Sequence, residues 1–178
     1  MKTRFLGLIL LLACTTASHA GLLDEAIGKA IAHKASEAAK AKANKKIAAR
    51  LNTKLIAESQ KNQCGFKGNT SELAAGCDRK SKRLASALIK AKKALQKSGQ
   101  AEFTFTVYGH TDLSGDASDN KALSKKRAEA ILKELVAHGV DADDIQAIGM
   151  GSEKPLIKPD NTPAKMARNR RYEVQITF

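Results

Sequence analysis

Residues 102–139 read EFTFTVYGHTDLSGDASDNKALSKKRAEAILKELVAHG, and they pass through a strand, a loop and a helix. Phe103, Phe105 and Val107 alternate with Thr104, Thr106 and Tyr108, the period of a half-buried strand. Gly, Ser and Asp then crowd into a loop that carries Asp112. From Asn120 to Gly139 the apolar spacing becomes helical, with Ser118 or Asp119 able to cap the start and Gly139 able to end it. Arg127 lies on this helix, fifteen residues after Asp112. Taken alone, Asp112 reads as a turn residue that satisfies backbone amides. Arg127, beside Lys125 and Lys126, reads alone as a solvated helix charge.

Outward from this stretch the same two periods recur. Leu84, Leu88, Ala91 and Leu95 share one face of a helix over residues 82–96. A short strand is expected around Gln63–Lys67, further strands at residues 145–151 and 171–178, and a loop at residues 152–163. From about residue 63 the order is β-α-β-α-β-loop-β. Alternation of this kind predicts an α+β fold, a two-layer α/β sandwich with helices on one sheet face. Residues 22–58, rich in Ala and Lys and free of Pro, read as a preceding helix. Leu23, Ile27, Ala30 and Ile31, then Ile47, Leu51 and Leu55, form its weak apolar stripe. It is expected to space, to self-associate into a homo-oligomer, or to lie on an anionic surface.

The 178-residue chain has a formal net charge of +13. The excess is local: residues 61–100 hold 10 basic and 2 acidic side chains, whereas residues 101–178 hold 11 and 12. Such a field attracts anionic lipid, lipopolysaccharide, acidic wall polymer or nucleic acid. With seven aromatic residues and no Trp, base-stacking surfaces are disfavoured, and no nucleic acid is expected as a partner.

The first twenty residues run MKTRFLGLILLLACTTASHA, with basic residues, an apolar run and a small-residue exit in the order of a secretory signal. Residues 11–14, LLAC, offer an alternative in which cleavage before Cys14 is followed by its acylation. Cleavage after Ala20 gives the more ordinary length and is preferred. The domains expected are a signal at 1–20, a basic helical extension at 21–60 and a folded domain at 61–178. In an exported chain, Cys64 and Cys77 imply one disulfide, with two buried thiols as the alternative. His33, His110 and His138 show no ligand spacing, so neither metal nor cofactor is expected. His110 reads as structural. No nucleophile motif stands near it or Asp112, and no enzyme activity is expected.

Four blocks occur in order: VYGHTDLSG, then N-x-x-LS-x-x-RA from Asn120, then GVDADDIQAIGMGSEKPL, then NRRYEVQI. Together they resemble the OmpA-like C-terminal domain, which also occurs in peptidoglycan-associated lipoproteins and flagellar motor stators. The resemblance is strong over residues 102–178 and weaker back to about 62. It implies a β-α-β-α-β-β fold and non-covalent binding of peptidoglycan at the periplasm or outer membrane. By resemblance, Asp112 and Arg127 clamp the diaminopimelate of the stem peptide. Thr111, Asn120, Leu123 and Arg171 line the same pocket. Two departures stand out. Lys165-Met166-Ala167 replaces the usual Gly-Arg-Ala, and the family has no fixed cysteine pair where Cys64 and Cys77 lie. The rival reading is a cationic helical module for anionic membrane or lipopolysaccharide, with the wall domain secondary.

Overall fold

A computed structural model describes residues 16–100 and 102–178, with side chains from residue 25 onward. The signal over residues 1–20 and Cys14 therefore lie outside the residues whose side chains are described. The elements are α1 (Thr16–Lys61), α2 (Cys77–Lys97), β1 (Thr104–Gly109), α3 (Ala117–Ala137), β2 (Ile145–Gly149), α4 (Pro163–Asn169) and β3 (Tyr172–Thr177). Two compact units divide the chain, Met1–Ala43 and Asn44–Phe178.

The described residues of the first unit, 16–43, are helical throughout. Alanine and lysine favour helix by propensity, and Lys29 pairs with Glu25 one turn away at 2.7 Å. Ile27 and Ile31 on this helix are 55% and 64% exposed.

The second unit begins at Asn44, inside α1 and ahead of the composition shift near residue 60. Ile47, Leu51 and Leu55, the later part of the predicted stripe, pack on the core. The sheet has the order β2-β1-β3, with β1 parallel to β2 and antiparallel to β3. Val107 stands opposite Ala147 and Val174, and Phe105 opposite Ile145 and Ile176. These residues meet Leu84, Leu88 and Leu95 of α2 and Ala128, Ile131 and Leu135 of α3 in one buried cluster. The other face is polar: Gln146 Nε2 donates to Thr106 Oγ1 at 3.0 Å.

The strand expected at Gln63–Lys67 does not form. Phe66 and Leu73 make only an isolated bridge. The outer edge of β3 is instead satisfied by side-chain amides. Asn52 Nδ2 donates to the Ile176 carbonyl at 3.1 Å, and the Ile176 N–H donates back to Asn52 Oδ1 at 2.6 Å. Gln63 pairs with Tyr172 in the same two-way fashion, at 2.7 and 3.1 Å. Each carboxamide copies the donor and acceptor of a neighbouring strand, so the edge is closed without one. Other boundaries move slightly. Asp116, not Ser118 or Asp119, caps α3, accepting from the N–H groups of both. Residues read as loop end run into the short helix α4, which Thr162 caps and Pro163 opens.

The first half of α3 lies directly on the ends of β1 and β2. A Cβ on Gly109 would meet the Ser124 carbonyl oxygen at 2.2 Å, and one on Gly149 the Lys121 carbonyl oxygen at 2.5 Å. Gly109→Ala must therefore push α3 off the sheet. It is expected to lower the unfolding free energy by about 2–3 kcal/mol, read by urea titration against the parent.

Candidate functional site

The loop from β1 to α3 and the first two turns of α3 enclose a cavity of about 390 Å³. Five of the six residues expected there line it: Thr111, Asp112, Asn120, Leu123 and Arg127. The close glycine contacts place these turns of α3 beside the strand ends. Asn120 Nδ2 then ties the helix to the loop by donating to the Ser114 carbonyl at 2.7 Å. Leu123 and Arg127 are one turn apart and share a side of α3.

Arg171 lies elsewhere. Its Nε donates to Glu173 Oε1 at 2.7 Å and its Nη groups to the carbonyls of Asn169 and Lys154. The arginine in the cavity is its neighbour Arg170, whose Nη1 donates to Asp112 Oδ2 at 2.7 Å. Asn69, far away in sequence, also reaches the cavity wall.

Asp112 is largely buried. Burial pushes its carboxyl upward, but bonds from Ser114 and Arg170 outweigh that and hold it below the usual aspartate range. The Ser114 N–H donates to Oδ1 at 3.1 Å, and the Ser114 hydroxyl bonds the same oxygen. Arg127 is also buried. Its Nε donates to the Thr70 carbonyl at 3.0 Å and its Nη2 to the Gly68 carbonyl at 3.2 Å. The guanidinium carbon sits 4.9 Å from the centre of the Phe66 ring. Burial and nearby Arg170 lower its pKa, while Asp112 opposes them. Nη1 makes no hydrogen bond among the described residues, so the end-on edge of the fork stays open to an oxyanion.

Behind the cavity the loop is braced. The Thr111 N–H donates to the Gly151 carbonyl at 2.9 Å. Asp160 Oδ2 accepts from the Leu113 N–H at 2.8 Å and from Asn169 Nδ2 at 2.9 Å. Asn169, wholly buried, also accepts from the N–H groups of Leu156 and Ile157. The Cys64–Cys77 disulfide is formed, with Cα atoms 5.0 Å apart. Away from the cavity, Asp78, Glu134 and His138 bring three ligand-type atoms within 4.8 Å of one another. His138 Nε2, just past the end of α3, lies 3.2 Å from Asp78 Oδ1 at the start of α2. Glu134 and His138 are four residues apart, and linear spacing hid the third member because Asp78 comes from α2.

The domain is thus a two-layer α/β fold that carries an acid and a guanidinium on one small cavity. Residues 66–170 match the OmpA family, and the chain belongs to that family. The peptidoglycan-binding protein ArfA of Mycobacterium tuberculosis is 41% identical over 71 residues, 40% of this chain and 22% of that protein. The probable lipoprotein YiaD of Escherichia coli is 37% identical over 71 residues, 40% of this chain and 32% of that protein. The matched stretch thus spans a third or less of these curated relatives. The peptidoglycan-associated lipoprotein from Burkholderia pseudomallei superposes with a TM-score of 0.50 at 26% identity, over 64% of this chain and 86% of that one. Among the described residues no helix is long and apolar enough to cross a membrane.

His110 adjoins the site and is 4% exposed, and among the described residues neither ring nitrogen has a hydrogen-bond partner. Burial, reinforced by Arg171, pushes its pKa down to about 4, although Glu173 pulls the other way. The folded state therefore holds this imidazole neutral where the unfolded chain protonates it. Stability is full above the ordinary histidine value and is lost as pH falls from about 6.5 to about 4, by about 3 kcal/mol. A His110→Gln variant should show a flatter slope in that window when denaturant midpoints are measured against pH.

Proposed function

We propose that the domain binds peptidoglycan non-covalently through the diaminopimelate of the stem peptide, and that it holds an envelope component to the cell wall without catalysis. The observation that carries the reading is the placement of Asp112 and Arg127 on one cavity. Diaminopimelate presents an ammonium and a carboxylate on one carbon. Asp112 receives the ammonium, and the open edge of Arg127 receives both carboxylate oxygens. Leu123 forms an apolar wall that limits water around the pair. Thr111 and Asn120 complete the rim, and Arg170 takes the place that the sequence assigned to Arg171. The printed description of ArfA, a peptidoglycan-binding protein, supports the same reading. Periplasmic or outer-membrane-associated localisation follows from the export signal and from this ligand.

Each charge-assisted contact contributes about 1.5–3 kcal/mol when partly desolvated. Asp112→Asn and Arg127→Ala should therefore each weaken co-sedimentation with isolated sacculi by roughly tenfold or more. Sacculi with lysine in place of diaminopimelate lack the second carboxylate and should sediment the parent poorly. Equal sedimentation of parent and both variants would mean that the basic helices bind the wall by charge alone.

A second reading, membrane contact by the helical extension, is favoured by the exposure of Ile27 and Ile31 on a lysine-rich helix. Since Asn44–Lys61 belongs to the folded unit, the test is removal of residues 21–43. If the extension binds lipid, flotation with phosphatidylglycerol vesicles is lost on this deletion while sacculus binding is kept. Unchanged flotation would exclude the helix as the contact.

A further inference from the structure

The guanidinium that the proposed function assigns to the ligand carboxylate is held by a segment remote from it in sequence. Residues 64–77 leave the end of α1 and return to the start of α2. Between them lies a small hairpin. The Lys67 N–H donates to the Glu72 carbonyl at 2.9 Å, and the Ala74 N–H to the Gly65 carbonyl at 2.9 Å. Phe66 and Leu73 pack against the core from its two sides. A lone two-stranded hairpin is marginal in water. Here the Cys64–Cys77 bond joins its two ends and removes much of the freedom it would otherwise have.

Three groups of this loop converge on Arg127. The carbonyls of Thr70 and Gly68 take Nε and Nη2, and the Phe66 ring lies beneath the guanidinium carbon. Two carbonyls fix the plane of the fork and the ring fixes its height. Arg127 is thereby presented with one edge engaged and the other open. The same loop carries Asn69 into the cavity wall. Nothing on α3 itself supplies these restraints: the hydrogen bonds of the Arg127 side chain go to the loop alone among the described residues.

We infer that the disulfide-closed loop is the positioning element for the binding arginine, and that ligand affinity follows the state of the Cys64–Cys77 bond. The inference rests on the proposed peptidoglycan reading. When a dithiol reductant acts, two electrons and two protons pass to the sulfur atoms. Cys64 and Cys77 become free thiols, and the reductant becomes its own disulfide. The hairpin then gains freedom, its two carbonyls and ring no longer hold one arrangement, and Arg127 must be ordered by the ligand itself. That ordering opposes binding, as for any site that loses preorganisation. Phe66, Gly68 and Thr70 act through Arg127 and are positioning residues.

The test uses the purified protein, its Cys64→Ser/Cys77→Ser double variant, Phe66→Leu and Phe66→Tyr. The probe is a soluble stem tripeptide ending in diaminopimelate, titrated by calorimetry with and without dithiothreitol. Circular dichroism is recorded alongside. Reduction, the double variant and Phe66→Leu should each weaken binding roughly fivefold with the helical signal retained, and Phe66→Tyr should restore it. Tripeptide affinity unchanged in both the reduced protein and the double variant would overturn the inference. Should the double variant fail to fold, Phe66→Leu against Phe66→Tyr decides, since Leu keeps the packing and lacks the ring. The Arg127 Nε–H resonance gives a readout that needs no ligand. Protection from exchange in the oxidised protein and its loss on reduction support the seat, and equal protection in both states overturns it. A parent that binds no tripeptide while its Arg127 Nε–H responds to reduction would sink the peptidoglycan reading and leave the positioning role standing.

Discussion

The close approach of α3 to the ends of β1 and β2 is the constraint on which the second unit depends. At Gly109 and Gly149 the helix backbone occupies the space that any side chain would need. Two consequences follow from that one contact. The helix axis is set against the strands, so Ala128, Ile131 and Leu135 drop into the core opposite Phe105 and Val107. The first turns of α3, carrying Asn120, Leu123 and Arg127, are also held at the strand ends where the Asp112 loop emerges. Packing and site geometry are therefore one problem, and a change in the first displaces the second.

The sheet has three strands because its free edge is covered by carboxamides instead of a fourth. Asn52 and Gln63 lie at two levels of β3, and each gives and takes one backbone hydrogen bond. Periodicity made α2, β1, α3 and β3 legible, since each shows an apolar face that the core buries. The missing strand was not legible in the same way. A single amide side chain has no sequence pattern that marks it as a substitute for backbone. The end of the first unit was hidden for a related reason. Composition changes near residue 60, but the packing that defines the unit starts where Ile47, Leu51 and Leu55 find the core.

Within the site, the resemblance to the family assigned Thr111, Asp112, Asn120, Leu123 and Arg127 to one pocket, and all five line one cavity. The pair Arg170 and Arg171 was read one residue out. At the entry to a strand, adjacent side chains face opposite ways, and two arginines in a row carry no mark of parity. Parity comes from the register, with Tyr172 opposite Gly109 and Arg171 beside Glu173. The loop at residues 64–77 was recognised for its cysteines but not for its reach. Its contacts with Arg127 span more than fifty residues of chain, and no local pattern encodes them.

The ion pair between Arg170 and Asp112 gives the cavity a resident competitor. On the proposed reading, the ligand's ammonium meets a carboxylate that is already neutralised by a guanidinium tethered to the same fold. Tethering sets a standing effective concentration for that guanidinium, so an incoming cation gains only the difference between two contacts. Departure is eased to the same degree, because Arg170 can close on Asp112 as the visitor leaves and no buried charge is stranded. A clamp of this kind trades grip for turnover. On the wall polymer of the proposed function, which repeats its sites, such a clamp would grip for short intervals and re-form nearby, sharing a load over many brief attachments.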